Sequence, residues 1–451
     1  MIPSSTLLRQ DELRDLLHLA AAARSVSLVG VSNMGKSTLL RDLCRPDLAA
    51  ALGLPATADL RFFYIDCNRM LDQSAHAFYE LIARVLLDDL RGEAPDLVRR
   101  LRAIYDEMVY PRSDFHIPFN FNQALTTLLE EVSGQMILIF DEFDAVYARL
   151  DDRVFLNLRA LQDRYPRRLT YITASDRRLS HIRSGEERDE FKELFSHSVH
   201  YVCPLTDADV HTYIDQRAAG LAARFDEADV AFLLGQAGGH PTLLEISCRR
   251  LAEITGASER SASEDWLIHR AVEDTLRQDL SINDECRKIW QDLDEDEQRT
   301  LEAFFQPGAR GDAPAVEELK RRGLLVRNAH EPKLFSRLFE DFVLRRRAIQ
   351  QGIGYGIHIN IDAGEALVDG RPTETLTNFE FRLLLLLYGQ LNKIVDKYAI
   401  VEAVWGEEYI DTVYDSSIEK LVSRLRQKIE PNPAEPRFLL TIRGRGYKLV
   451  G

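Results

Sequence analysis

Near its start, from Ser25 to Leu40, the chain reads SVSLVGVSNMGKSTLL. A β-rich apolar run ends on a glycine loop, and the loop passes at once into a helix. Few topologies tolerate that junction, because the strand must be buried while the loop stays open to a ligand. The spacing G-x-x-x-x-G-K-S is met by Gly30, Gly35, Lys36 and Ser37. Glycines let the backbone N–H groups wrap a chain of phosphates, a lysine here reaches the terminal phosphates, and the following hydroxyl can ligate Mg2+. ATP or ADP with Mg2+ is therefore the expected cofactor, held by Gly30, Asn33, Met34, Gly35, Lys36, Ser37 and Thr38. The bland alternative is a glycine turn between strand and helix.

A second run, QMILIFDEF at 135–143, is nearly all apolar and ends in acids. Such a run suits a central strand buried on both faces. Asp141 is expected to act on Mg2+ through water, sharing the metal with Ser37. Glu142 is expected to polarise an attacking water, as phosphoryl transfer requires. Glu142, Lys36 and Asp141 form the expected catalytic set. Taken alone, an apolar strand ending in solvated acids is common.

Strand-like runs at 60–68, 135–143, 168–176 and 198–205 alternate with helical segments, and residues 1–24 read as a leading helix with Leu13, Leu16, Leu17 and Ala20 on one face. That alternation predicts a parallel sheet covered on both faces. Beyond Pro204 the pattern turns helical. A smaller unit with a loop at 307–315 follows, and a glycine-containing linker at 349–357 leads to the last segment. The chain has 451 residues, enough for several domains, and its longest apolar run, Leu383–Leu387, is far too short to span a bilayer. No export signal is read at the N-terminus, and the five scattered cysteines form no CxxC pair. A cytoplasmic protein with reduced thiols and no membrane partner is expected.

With the strand, the loop, FDEFD and a later GGHP at Gly238–Pro241, residues 10–345 resemble the signal-transduction ATPases with numerous domains, a branch allied to AAA+ enzymes. The resemblance implies a helical lid on which Gly239 and Pro241 lie, with the proline near the adenine. It implies a winged helix after the core, within 283–345. It also implies a polar γ-phosphate sensor in TASDRR, where Thr173, Ser175, Arg177 and Arg178 are all candidates and Arg177 is counted with the nucleotide site. The arginine that such enzymes often carry before the fifth strand has no clear counterpart in FKELFSHSVHY. A slow ATPase used as a switch is the implied activity.

Net charge is −15, yet residues 417–448 hold eight Lys/Arg against three Glu. A local basic patch on an acidic chain is a focused field. Thr377 and Glu380 form a T-x-x-E capping box. In the helix that follows later, Ile418, Leu421, Val422, Leu425 and Ile429 recur at helical spacing, with Lys420, Ser423, Arg424 and Gln427 on the opposite stripe. Arginine suits guanine and glutamine suits adenine in a major groove, while Lys420 and Lys428 suit phosphates. A terminal hairpin, LLTIRGRGYKLV, brings Thr441, Arg443, Arg445 and Tyr447. An amphipathic helix with a merely solvated polar face is the alternative. Residues 357–451 resemble the winged-helix output domain of the OmpR/PhoB response regulators along its whole length. That implies double-stranded DNA as partner and, because 352–451 hold 12 Lys/Arg against 14 Asp/Glu, binding as a homo-oligomer. No receiver domain is apparent, so the trigger is expected to be a partner protein or the nucleotide ratio.

The expected fold class is an α/β P-loop NTPase, with a parallel sheet and helical lid, followed by two winged-helix domains. The expected divisions are 1–206 for the ATPase core, 207–282 for the lid, 283–348 for the first winged helix and 357–451 for the second. The expected function is an ATP-switched, DNA-binding transcriptional regulator. A DNA-remodelling or loading ATPase in replication, transposition or phage defence is the alternative, and a protein-binding scaffold the third reading.

Overall fold

The computed structural model describes residues 7–54, 60–90, 95–183, 190–255, 262–304, 312–327, 332–350, 357–360, 365–368, 371–406, 409, 412–430, 432–433 and 436–450. Residues 307–311 of the expected loop and 351–356 of the expected linker lie outside them. The chain forms two compact units, Met1–Phe342 and Val343–Gly451, and the division falls within the helix Arg337–Gln350.

The first unit is built on five strands: β1 (Val26–Val29), β2 (Leu60–Asp66), β3 (Gln135–Asp141), β4 (Leu169–Ser175) and β5 (Val199–Tyr201). Their order is β2-β3-β4-β1-β5, and every pairing is parallel. The three inner strands are buried at every position, whereas the edge strands β2 and β5 are partly exposed. This is why β3 reads as a nearly solid apolar run and β2 does not. In open parallel sheets, ligands lie outside the carboxyl ends of the strands. The loops after β1, β3 and β4 all emerge there.

The leading helix spans Gln10–Ala21 and buries Leu13, Leu16, Leu17 and Ala20. On the opposite side of β3, an aromatic cluster fills the space beneath the helices. Phe140 and Phe143 lie 5.4 Å apart, Phe143 stacks on Tyr147 at 5.8 Å, and Tyr147 meets Phe155 at 5.0 Å. Phe140 and Phe143 are wholly buried and bracket the two acids at the end of β3. Between them, Glu142 has a left-handed backbone with φ of 54°. That conformation costs a non-glycine residue roughly 1–2 kcal/mol. Burial of each flanking ring contributes about 2–3 kcal/mol, so the core holds Glu142 in its unfavourable turn.

After β5 come the helices Asp207–Leu221, Glu227–Ala237, Pro241–Thr255, Ala262–Gln278 and Leu280–Gln291. A second group follows: Glu295–Phe304, Ala313–Arg321, the hairpin Leu325–Arg327 with Pro332–Leu334, and the start of Arg337–Gln350. Gly238 ends its helix at φ of 61°, and Gly239 follows at 81°. A Cβ on Gly238 would sit 1.8 Å from the Phe335 carbonyl oxygen, and one on Gly239 would sit 2.6 Å from that of Leu205. Backbone meets backbone here, and only glycine leaves the room.

The second unit carries a three-stranded antiparallel sheet (Ile357–Asn360, Glu365–Val368, Arg371–Pro372) and three helices (Asn378–Gly389, Lys397–Val404, Asp415–Ile429). A closing hairpin, Leu439–Ile442 with Gly446–Leu449, completes it. Both halves of the Thr377–Glu380 capping box are formed. All five residues of the expected apolar face of the third helix are buried. Glu430, at the end of that helix, accepts the backbone N–H groups of Arg437, Phe438 and Leu439 at 2.6–2.9 Å. Arg426, one turn earlier, donates to the Leu439 carbonyl and to Thr441 Oγ1 at 2.7–2.9 Å. The hairpin is thus pinned to the helix by two charged side chains.

Two glycines on adjacent helical turns separate strain from propensity. Gly235 lies inside Glu227–Ala237 and has nothing within 4 Å of its would-be Cβ. Gly235→Ala is expected to stabilise the first unit by about 0.5–1 kcal/mol. Gly238→Ala is expected to destabilise it by on the order of 3 kcal/mol or more. Denaturant midpoints of the two variants measure both, and equal shifts would contradict the close approach at Phe335.

Candidate functional site

The loop after β1 is closed at its root by Gly30 N–H donating to the Ser175 carbonyl at 3.2 Å. At its far end Gly35 turns left-handed, with φ of 101°, into the helix Lys36–Leu43, whose N-terminus no side chain caps. Uncapped N–H groups and the helix dipole make this a place for an anion. The loop opens onto a cavity of about 630 Å3, lined among others by Asn33, Gly35, Lys36, Ser37, Thr38, Glu142 and Pro241. Its volume and mixed lining suit a drug-sized polar ligand. Leu8, Tyr213 and Pro241 supply apolar surface, and Arg41, Arg217 and Lys288 add cations. The residues present therefore fit a nucleotide.

Lys36 is buried and donates to the Gly30 carbonyl and to Asp176 Oδ1, both at 2.6 Å. Asp176, just beyond β4, lines the same cavity. Asp141 is buried and does not line the cavity: its carboxylate accepts the Glu142 N–H at 3.1 Å and the Tyr64 hydroxyl. Glu142 faces the cavity, where desolvation and then the neighbouring Asp141 raise its pKa. Asp144 accepts the Asp176 N–H at 3.0 Å, and burial together with the Asp176 charge raises its carboxyl to about 7.

Six of the residues named as nucleotide contacts or sensor candidates stand off the cavity. Arg177 donates to the carbonyls of Gln291, Asp292 and Leu293 at 2.5–3.1 Å, so its guanidinium faces a neighbouring loop and does not line the cavity. Met34 is buried and does not line the cavity. Gly239 lies off the cavity and serves the close approach to Leu205. Among the sensor candidates, Arg178 pairs with Glu318 at 3.1 Å, Ser175 donates to the Arg177 carbonyl at 2.7 Å, and Thr173 Oγ1 is buried without a hydrogen-bond partner. None of the four lines the cavity.

The structure adds residues that no local pattern announced. Arg9, itself buried, donates to the Met34 carbonyl at 2.9 Å and the Cys203 carbonyl at 2.6 Å. His240, between Gly239 and Pro241, places Nε2 at 3.1 Å from the Ser32 carbonyl, which can only accept, so that nitrogen carries the proton. Its Nδ1 accepts the Leu243 N–H. Burial pushes this imidazole down to about 4, so it is neutral near pH 7. From the helix Leu280–Gln291 and the residue that ends it, Asp292 Oδ2 accepts the Ser32 N–H at 2.6 Å, and Glu285 accepts the Asn33 side-chain amide at 2.8 and 3.0 Å. Desolvation and then Asp176 raise the pKa of Asp292.

In the second unit Lys420, Ser423, Arg424 and Gln427 are all exposed on the third helix, as are Thr441, Arg443 and Arg445 on the hairpin. Two expected contacts are corrected. Lys428 pairs with Glu380 at 2.8 Å and donates to the Thr375 carbonyl at 2.7 Å, which ties the third helix to the capping box of the first. Tyr447 is a core residue, 4% exposed, paired across to Thr441 and bridged to Val395. Among the described residues, no helix is long and apolar enough to cross a membrane.

Residues 7–173 match the AAA ATPase domain family, and residues 370–449 match the family described as transcriptional regulatory protein, C terminal. The uncharacterized transcriptional regulatory protein YcbL of Bacillus subtilis is 40% identical over 91 residues, covering 20% of this chain and 39% of that protein. The sensory transduction protein RegX3 of Mycolicibacterium smegmatis is 35% identical over 95 residues, covering 21% of this chain and 40% of that protein. The chain thus spans about two fifths of the length of these curated relatives. The solved structure of the Walker-type ATPase paby2304 of Pyrococcus abyssi aligns at 15% identity and a TM-score of 0.43, covering 75% of this chain and 96% of that one. The chain therefore joins an AAA ATPase domain, at residues 7–173, to an OmpR/PhoB-type C-terminal domain of transcriptional regulatory proteins, at residues 370–449.

Proposed function

We propose that this chain is a nucleotide-switched, DNA-binding transcriptional regulator. The observation that carries the reading is the presence, in one polypeptide, of an uncapped glycine loop over a nucleotide-sized cavity and a helix with four exposed groove-reading side chains. ATP or ADP binds at residues 30–38, with Lys36 on the terminal phosphates and Pro241 at the base. Ser37 would hold Mg2+, which would supply charge neutralisation along the phosphate chain, and Asp141, buried beside Glu142, would act on it through water. Glu142 orients the attacking water. Hydrolysis is slow, and the nucleotide state sets conformation or homo-oligomeric assembly, which sets occupancy of double-stranded DNA in the cytoplasm. The core at 1–206, lid at 207–282 and winged helices at 283–348 and 357–451 are the parts of that device. The matched relatives named as regulators support the output, and the AAA ATPase domain supports the input.

Lys36→Ala is expected to weaken ATP binding by roughly a hundredfold, measured by calorimetry; unchanged affinity would remove the site. Glu142→Gln is expected to keep ATP binding and slow turnover by roughly a hundredfold or more, and wild-type turnover in that variant would cancel its role.

Affinity for DNA selected from a random pool is expected to differ between the ADP and ATP forms by roughly fivefold or more. Equal affinity and equal assembly would end the switch reading, and DNA-stimulated turnover without sequence preference would replace it with a remodelling ATPase.

Arg424→Ala is expected to cost about 1–3 kcal/mol and relax preference at one base pair. A loss uniform over all sequences would reassign Arg424 to phosphate.

A further inference from the structure

Ser32 N–H, in the glycine loop and at the cavity's lining, is already taken by the Asp292 carboxylate at 2.6 Å. Asn33, beside it, is taken by Glu285. A loop that presents N–H donors to phosphate is thus faced by two carboxylates from the helix Leu280–Gln291 and the residue that ends it. Lys36, the cation that reaches terminal phosphates in such loops, is close enough for its charge to act on Asp292, and is held by Asp176. The donors at the loop's far end differ: no side chain caps the N-terminus of Lys36–Leu43, where Ser37 and Thr38 line the same cavity.

The Asp292 side chain is not what holds its own segment in place. The carbonyls of residues 291–293 accept three hydrogen bonds from Arg177 and one, at 3.2 Å, from Arg322. Arg322 is in turn fixed by a buried pair with Glu297 at 2.7 Å and by the Asp176 carbonyl at 2.7 Å. Two guanidinium groups therefore deliver the carboxylate to the loop, and the segment stays docked whatever residue 292 carries. A charge-assisted bond from a backbone N–H to a carboxylate is the same interaction a phosphate oxygen would make there.

We infer that Asp292 is a specificity-determining residue: its carboxylate stands where the outermost phosphate of a nucleoside triphosphate would bind, so the docked site accepts a diphosphate and a triphosphate must displace it. This rests on the reading of the loop as a nucleotide site. Selectivity follows because it is a difference of two affinities, and a fixed negative charge raises the cost of only the ligand that meets it.

The test is calorimetric titration of the full chain, in Mg2+, with ADP and with a non-hydrolysable ATP analogue. Wild type is expected to bind ADP at least tenfold more tightly. Asp292→Asn, which keeps volume and an acceptor, and Asp292→Ala are expected to tighten the triphosphate by roughly tenfold, with the larger effect in Ala, and to leave ADP within about twofold. An unchanged ratio in both variants, equal gains for both nucleotides, loss of ADP binding in both, or no preference in wild type would each overturn the inference. If wild type binds neither nucleotide, the reading of the loop itself falls.

Discussion

One guanidinium organises the first unit. Arg322, 3% exposed, places Nη1 on both oxygens of Glu297 and Nη2 on the carbonyls of Asp176 and Asp292. Removing two charges from water costs several kcal/mol each, and only a pair with well-placed extra hydrogen bonds recovers it. Here those extra bonds go to the end of β4 and to the segment facing the glycine loop, so satisfying the charge and assembling the site are one event. The arrangement is not complete, since Arg322 Nε is buried without a partner. Its neighbours gain their geometry from it: Arg177 meets the same segment, and Asp176 holds Lys36.

The second unit solves a related problem with a smaller core. Its third helix must present one stripe outward while the other seals against two helices and a hairpin. Charged residues at the helix end do the sealing, through Arg426 and Glu430 on the hairpin backbone and Lys428 on the capping-box glutamate. The stripe of Lys420, Ser423, Arg424 and Gln427 is left outside. Side chains that read bases need a rigid support, because small displacements forfeit the bidentate geometry.

Local chemistry was legible in the sequence where it is local in the structure. The glycine loop, the nearly solid apolar run of β3, the Thr377–Glu380 box and the buried face of Asp415–Ile429 all rest on residues a few positions apart. The contacts made to the glycine loop from the rest of the unit do not. Ser32 and Asp292 are 260 positions apart, Asn33 and Glu285 252, and Ser32 and His240 208. No periodicity couples such residues. Lys428, Tyr447 and Arg177 went astray for the complementary reason. Each has a side chain of the right type near the right place, and burial or a long-range partner, invisible in the sequence, directs it elsewhere.

The Asp292 contact also has a concentration attached to it. A carboxylate carried on the chain and delivered by anchored arginines meets the loop at an effective concentration set by geometry, on the order of millimolar for short flexible tethers and higher for rigid ones. A free anionic ligand would meet the same loop at whatever level its surroundings supply. The tethered anion neither diffuses away nor dilutes, so it acts as a fixed internal reference against which the free ligand is weighed.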